Sequence, residues 1–404
     1  MGNFAWVNKA TSNHLKICFW ATTFQADIQA IACHLAREDD MEVLVALKDP
    51  EQYRTQPIEN FLPFKGEIVQ RDTLRAWWRL VRFNPDILVV DNHLPRYRPK
   101  RMYVLWHGYG WRMDHPERMR RNMSKLVGEV TEANERFRWQ VVGPFDRDYT
   151  TGHRAIHKDN IVNLGSPYSD LLRPESPLAK QIQPELVTDA YPGIDMVKRP
   201  NVLIAMTWHH GGLMGHWGDE WELLDKLLNH IEKLGANAIL RMHDRKRYDP
   251  DYLAAITRFC EKRTGVLLKF KSDSPDSLVD ILISDMMITN YSSFANLFYY
   301  TGRPTVHIMP PEAGEGLVMR QWSKKEISVE PVDNQEVFWK HPPEDVGGLR
   351  ALSFDELLQS VKKAIKEPYC CVDIANNFIE RHIEKVDGKS CERTAQMFRQ
   401  WVQK

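Results

Sequence analysis

The sequence predicts an α/β protein of two doubly wound, Rossmann-like domains facing a central cleft. Three observations carry this. Short apolar runs alternate with amphipathic stretches along most of the chain, which is how parallel sheets covered by helices read. The alternation breaks once, at 173–200, where Pro174, Pro177, Pro184, Pro192 and Pro200 fall in a stretch of little periodicity. And 404 residues exceed what one ordinary core supports. The expected division is 1–175, then 196–373, with amphipathic helices in 374–404 returning to the first domain.

The elements follow in order. LKICFWA at 15–21 is a buried strand, and Ile28, Ile31, Ala32 and Leu35 share one face of a helix over 26–37. Strands are expected at 41–47, 86–90, 102–106, 141–142 and 160–164, with a helix over 74–83. After the proline-rich stretch the pattern restarts. It reads strand 201–207, helix 220–234, strand 236–242, helix 252–262 and strand 266–270. Residues 281–289 read as a strand, Asn290-Tyr291-Ser292-Ser293 as a turn and Phe294 to Thr301 as a helix stopped by Gly302. A strand at 304–309 and helices at 353–365, 374–384 and 390–403 complete the chain.

Bulk composition narrows the function. Lys and Arg total 54 and so do Asp and Glu, which argues against a general nucleic-acid binder. The six cysteines form no CxxC pair, and only Cys370 and Cys371 are close, so a reduced, cytoplasmic protein is the simplest reading. No apolar run approaches the roughly 20 residues that cross a bilayer, and neither a signal-peptide core nor a myristoylation signal opens the sequence. Trp77 and Trp78 stand among Arg75, Arg79 and Arg82. They fit a membrane-surface helix, but a core-facing helix with a basic outer side is the simpler expectation.

Ligands of doubly wound sheets bind beyond the carboxyl ends of the strands, so the loops there matter. Four stand out. The first is Trp106-His107-Gly108-Tyr109-Gly110. It places a proton-transfer group at a strand end, or merely a histidine that satisfies backbone groups. The second is Thr207-Trp208-His209-His210-Gly211-Gly212, whose glycines allow a phosphate or a base to approach. His209, His210 and His216 lack the spacing and partners of a metal site. The third is Arg241-Met242-His243-Asp244, where strand alternation puts Arg241 and His243 on one side, as a phosphate site or as surface charge. The fourth is the Asn290–Ser293 turn. A helix N-terminus there favours an anion, and Ser292 and Ser293 also suit plain capping.

These segments, in order, resemble the CDP-glycerol glycerophosphotransferase family, the teichoic acid primases and polymerases. The family's WHG loop is matched by Trp106-His107-Gly108, and its GxPRxD segment by Gly165-Ser166-Pro167-Tyr168-Ser169-Asp170. Its PTW loop is matched by Thr207-Trp208, RxHP by Arg241-Met242-His243 and TDYSS by Thr289-Asn290-Tyr291-Ser292-Ser293. The DGKASER ending is matched by Asp387-Gly388-Lys389-Ser390-Cys391-Glu392-Arg393. The departures are Asn290 for the acid, Tyr168 for the arginine, and Met206 and Asp244 for two prolines.

The resemblance implies the two-domain GT-B fold and transfer of a glycerol-phosphate-type group from a CDP-activated donor to an acceptor hydroxyl, releasing CMP. On that basis His107 is the expected general base, with Gly108 and Asp114 on the acceptor side. His243, Arg241, Asn290, Ser292 and Ser293 are expected at the donor phosphates, and Thr207 and Trp208 at the nucleotide. No metal or other cofactor is implied beyond the nucleotide-activated donor, which the departures leave open between CDP-glycerol, CDP-ribitol and a nucleotide sugar. The implied acceptor is lipid-linked or a polysaccharide, which would put the protein at the inner face of the cell membrane. Two rival readings are a GT-B sugar transferase or epimerase, and a non-catalytic scaffold of a polymer-assembly complex.

Overall fold

The computed structural model describes residues 14–403 except 54–56, 92, 106–108, 112–115, 207–213, 215, 246–247, 273–274, 276, 310–317, 324–325, 332–338 and 341. The first half runs β1 (Leu15–Ala21), α1 (Ala26–Leu35), β2 (Met41–Leu47), β3 (Glu67–Gln70), α2 (Leu74–Phe83), β4 (Ile87–Val90) and β5 (Met102–Val104). It continues with α3 (Glu117–Val127), β6 (Phe137–Val141), α4 (Pro144–Gly152), β7 (Ile161–Asn163), α5 (Ser169–Leu172) and α6 (Pro177–Gln181). The second half runs β8 (Asn201–Ile204), α7 (Glu220–Lys233), β9 (Asn237–Met242), α8 (Pro250–Glu261), β10 (Val266–Phe270), α9 (Leu278–Ile283) and β11 (Met286–Thr289). Then come α10 (Phe294–Tyr299), β12 (Thr305–Ile308), β13 (Val318–Ser323), β14 (Glu326–Pro331), β15 (Leu349–Ala351), α11 (Phe354–Lys366), α12 (Val372–His382) and α13 (Ser390–Gln403).

Two parallel sheets result, ordered β3-β2-β1-β4-β5-β6-β7 and β10-β9-β8-β11-β12-β15, while β13 and β14 pair apart as an antiparallel hairpin. Both orders reverse direction next to their first strand, giving switch points at β1/β4 and β8/β11. Local chemistry sets the helix starts. Thr73, Asp219, Asp249 and Ser353 each accept a backbone N–H from the first turn of α2, α7, α8 and α11. Gly302, at φ +70°, carries the chain from α10 into β12, a conformation that costs glycine nothing.

Three apolar cores form. One joins α2 and α3 to one face of the first sheet, and another joins α7, α8 and α11 to one face of the second. The third is continuous between the sheets: Ile17 and Phe19 belong to it, and so do Leu203, Ile239 and Met287, with α1, α9, α10, α12 and α13 between. Each fully buried large side chain there contributes about 1.5–3 kcal/mol. α13 lies on α1 and α5, Arg399 pairs with Glu38 and Asp40, and the Trp401 Nε1–H donates to the Glu135 carbonyl at 2.6 Å.

Two expectations need correction and a third is sharpened. Residues 281–283 are helical, and the strand is only Met286–Thr289. An all-apolar run carries no period that separates helix from strand, and Asp280 marks the helix by pointing into a buried ion cluster. The 173–200 stretch, whose prolines mark it as a linker or boundary, is a packed one, with Leu178, Ile182, Val187, Tyr191, Ile194 and Met196 buried. Finally, α2 does not turn its tryptophans inward. Ala76, Leu80 and Phe83 face the core, while Trp77 and Trp78 are 50% and 64% exposed.

Candidate active site

The Asn290–Ser293 turn leaves the carboxyl end of β11, beside β8, at the second switch point. The turn is pinned from three sides. The Thr289 hydroxyl donates to the Ala205 carbonyl at 2.6 Å, tying it to the end of β8. Tyr291 is buried edge-on against Trp339, with centroids 4.7 Å apart. His307, on β12, is fully enclosed between the Asn290 carbonyl at 2.9 Å and the Tyr299 hydroxyl at 2.6 Å. A carbonyl only accepts, so His307 Nδ1 carries the proton and Nε2 accepts from Tyr299. Burial, which outweighs the Asn290 contact, pushes its pKa down to about 4, so the ring is neutral near pH 7.

Ser292 and Ser293 are partly exposed. The Ser292 hydroxyl accepts the Phe294 N–H at 3.3 Å, whereas Ser293 holds the cap position of α10 without a side-chain capping bond. Across from them lies the loop that follows β5. A side chain at Gly110 would meet the Ser293 Cβ at 3.4 Å, and the Asn296 amide donates to the Tyr109 carbonyl. Two loops that the sequence singled out, one from each half, therefore touch. Trp106, His107 and Gly108, and likewise Asp114, lie outside the described residues, as do Thr207 and Trp208. The described ends of their loops, Tyr109–Trp111 and Ala205–Met206, border this turn or the strand beside it.

The same loop is held to the crossover between the halves. The Trp111 Nε1–H donates to the Asp345 carbonyl at 2.8 Å, and the His382 Nε2–H donates to the Asp345 carboxylate at 2.6 Å. The other His382 nitrogen faces the Tyr109 hydroxyl at 3.2 Å. Lys340, almost fully buried, pairs with Asp146 at 3.0 Å and sits over the Tyr109 ring at 4.5 Å.

At the end of β9 the two expected residues part company. His243 is partly exposed, and its Nδ1 accepts the Asp244 backbone N–H at 2.9 Å, which leaves the proton of the neutral ring on Nε2. Arg241 is buried instead. Its guanidinium grips Asp280 and donates to the Pro275 carbonyl at 3.2 Å. Lys269 and the Tyr191 hydroxyl reach the same carboxylate, at 2.6 and 2.5 Å. Burial raises the Asp280 pKa, but Lys269 and Arg241 outweigh it and hold the acid below the usual carboxylate range. Among the described residues, two cations, Arg241 and Lys269, gather on this one carboxylate beneath the edge of the sheet.

Sequence reasoning missed a second cluster, at the first switch point. Asp91, 2% exposed at the end of β4, accepts the Thr22 N–H at 2.7 Å and the His93 N–H at 2.8 Å. The Thr22 hydroxyl lies 2.6 Å from His93 Nδ1. Burial pushes the Asp91 pKa up, but His93 and the two backbone donors more than reverse it, so the group is a carboxylate. The usable signal was the polar residues directly after two strands, Thr22-Thr23 and Asp91 to His93.

Two other motif segments prove to be one structural joint. Asp170 accepts the Ser390 and Cys391 N–H groups at 3.2 and 2.8 Å, capping α13, and Gly165, at φ +90°, has no room for a Cβ beside Ser390 and Lys385. His216 donates from Nε2 to the Met309 carbonyl at 3.0 Å. Among the described residues no group of three His, Cys, Asp or Glu side chains is arranged to hold a metal ion.

Comparison with known proteins places this geometry. A family profile described as CDP-glycerol:poly(glycerophosphate) glycerophosphotransferase matches residues 5–312. The structure of the wall teichoic acid polymerase TagF is similar with a TM-score of 0.66 at 15% identity, over 96% of this chain and 89% of that one. UDP-GlcNAc 2-epimerase from Neisseria meningitidis, bound to UDP-GlcNAc, follows at 0.55 and 12% identity, over 96% and 100%. The epimerase from Methanocaldococcus jannaschii gives 0.53 and 11%, over 96% and 100%. These structures share the GT-B fold with this chain. No curated protein matches it by sequence.

Proposed function

The chain belongs to the CDP-glycerol:poly(glycerophosphate) glycerophosphotransferase family, an enzyme family that transfers glycerol phosphate from a CDP-activated donor, and on that premise we propose how its two halves share the reaction. The first half, 1–175 with the C-terminal helices, presents the acceptor. The second, 196–373, binds the donor. An acceptor hydroxyl attacks the phosphorus of the glycerol-phosphate group. A new oxygen–phosphorus bond forms, the bond to CMP breaks, and the hydroxyl proton passes to His107. Gly108 and Asp114 border the acceptor.

The donor phosphates lie against Asn290, Ser292 and Ser293. His243, neutral with its proton on Nε2, donates to a phosphoryl oxygen as negative charge builds there. Arg241 does not grip the phosphates in this reading. It positions the segment after β10 through Pro275 and, with Lys269, is held on Asp280 behind that segment. Thr207 and Trp208 meet the nucleotide. The acceptor we favour is a lipid-linked or polysaccharide chain of a teichoic acid or capsule-like polymer, which puts the enzyme at the inner face of the membrane.

One observation supports the proposal: Tyr109 and Gly110, which follow His107 in the sequence, abut the Ser293 end of the turn. The test is CMP release from CDP-glycerol, with CDP-ribitol and UDP-sugars compared by thermal shift. His107→Ala should cut turnover at least about 100-fold with the fold intact. Near-normal turnover would remove His107 as the base.

A further inference from the structure

Along α2 the residues Leu74, Trp77, Trp78 and Val81 recur at i, i+3, i+4 and i+7, and they are 87%, 50%, 64% and 45% exposed. At about 100° per residue they form a single stripe facing away from the protein. The opposite side, Ala76, Leu80 and Phe83, is already sealed into the core. The helix thus has two apolar faces, whereas a helix on a water-facing surface shows polar residues outward. The other large apolar side chains exposed among the described residues, Leu186, Val197, Leu352, Tyr369 and Ile374, make no such stripe.

The charge around the stripe is mainly positive, although Asp72 stands exposed two residues before Leu74. Arg75 and Arg82 flank it exposed, and α2 contains no acid. α3 covers the same sheet face, since its Met123 and Val127 share a core with Leu80 and Phe83, and it exposes Arg118, Arg121 and Lys125. Leu94 and Tyr97 pack on that core too, in a loop that exposes Arg96, Arg98 and Lys100. Against these, Arg79 is paired with Glu67, Lys100 with Asp86, and Glu117 opens α3.

We propose that α2 docks the enzyme on an anionic lipid bilayer. Leu74, Trp77, Trp78 and Val81 enter the interface, and the arginines and lysines around them meet the headgroups. Topology gives this a direction. α2 leads into β4 of a parallel sheet, so it starts beside the carboxyl edge, and the stripe begins at the end of the lobe that carries Asp91 and the His107 loop. A docked α2 would hold the acceptor side of the cleft next to the membrane. The inference deepens the reading of a lipid-linked acceptor and rests on it for its purpose, while vesicle binding itself is independent of the reaction.

The test is flotation of the full chain with vesicles of phosphatidylcholine alone or with about 30% phosphatidylglycerol. The protein should float with the anionic vesicles and be largely released at about 0.5 M salt. Trp77→Ser with Trp78→Ser should lower the bound fraction about tenfold or more, and Arg75→Gln with Arg82→Gln should lower it less. Leu352→Ser, an isolated exposed leucine, should change nothing. Unfolding temperature and CMP release on a water-soluble acceptor should stay those of the unaltered protein in the tryptophan variant. Failure to float, or flotation indifferent to both tryptophans, would overturn the proposal. So would a dimer in light scattering that the tryptophan substitutions dissolve without any vesicle binding, because a second copy would then own the face. Flotation in a protein that releases no CMP would keep the docking helix and count against the transfer reading alone.

Discussion

The two sheets share one strand order, yet their switch points carry opposite chemistry. At β1/β4 a buried carboxylate, Asp91, organises the backbone of Thr22 and His93 and brings the Thr22 hydroxyl to a histidine ring. At β8/β11 no carboxylate stands among the described residues of the turn. Hydroxyls and an amide line it instead, and the described cations Arg241 and Lys269 are paired with Asp280 in the same sheet. The first arrangement suits a neutral or proton-losing group and repels a phosphate. The second favours an anion and has little use for a proton. The shared topology puts both clusters at strand ends, and the loop residues alone set their different chemistry.

That contrast breaks most visibly on the donor side. Ser292→Ala with Ser293→Ala should raise the KM for the donor about 100-fold or more while kcat changes little, since two bonds to a charged group at about 1.5–3 kcal/mol each total at least about 3 kcal/mol. A lowered unfolding temperature with an unchanged donor KM would reduce both serines to caps of α10. A smaller effect of the opposite kind is expected across the cleft. Asp91→Asn keeps the size of the side chain but removes the charge that orients Thr22 and His93. It should lower kcat about tenfold and leave donor KM alone. If donor KM rises instead, the two switch points do not divide the work, and the comparison fails.

Much of this fold was legible in the residues. Five elements, 15–21, 41–47, 74–83, 266–270 and 390–403, stand where their periodicity put them. The elements that escaped lack such a signal. β3 is a partly exposed sheet edge, α3 is strongly basic with only Met123 and Val127 buried, and β15 is three residues long. The Asn290–Ser293 turn could be read because strand, turn and helix are contiguous. The Thr22–Asp91–His93 cluster could not, since its members lie about 70 residues apart and pairing of distant strands is invisible to local pattern. Arg241 looked like a phosphate ligand because its partner, Asp280, lies 39 residues away, on a helix the sequence did not reveal. The period of α2 gave a stripe, but a helix with two apolar faces does not say which one the core takes.

The smallest expected effect tests what steadies the donor side. His307 donates to the Asn290 carbonyl and accepts from the Tyr299 hydroxyl, and only the neutral ring does both. Its pKa is pushed down to about 4 in the folded protein, against about 6.5 when unfolded. Between these values the unfolded chain binds a proton that the folded chain refuses, so this residue makes stability fall as pH drops from about 6.5 towards 4. Other groups act in the same range, and Glu59 and Asp170, both raised by burial, gain stability on acidification. Burial of His216 pushes in the same direction as that of His307, whereas Asp27, raised to about 6 by burial against its bonds from Tyr168 and Ser166, gains stability on acidification. Total stability therefore hides the contribution of His307, and the difference between two proteins reveals it. His307→Gln should be less stable than the unaltered protein at pH 7.5, with the gap closing steadily towards pH 4 in urea unfolding, and donor KM should rise about threefold. A gap that stays constant across that range would mean that the ring's protonation does not steady the turn.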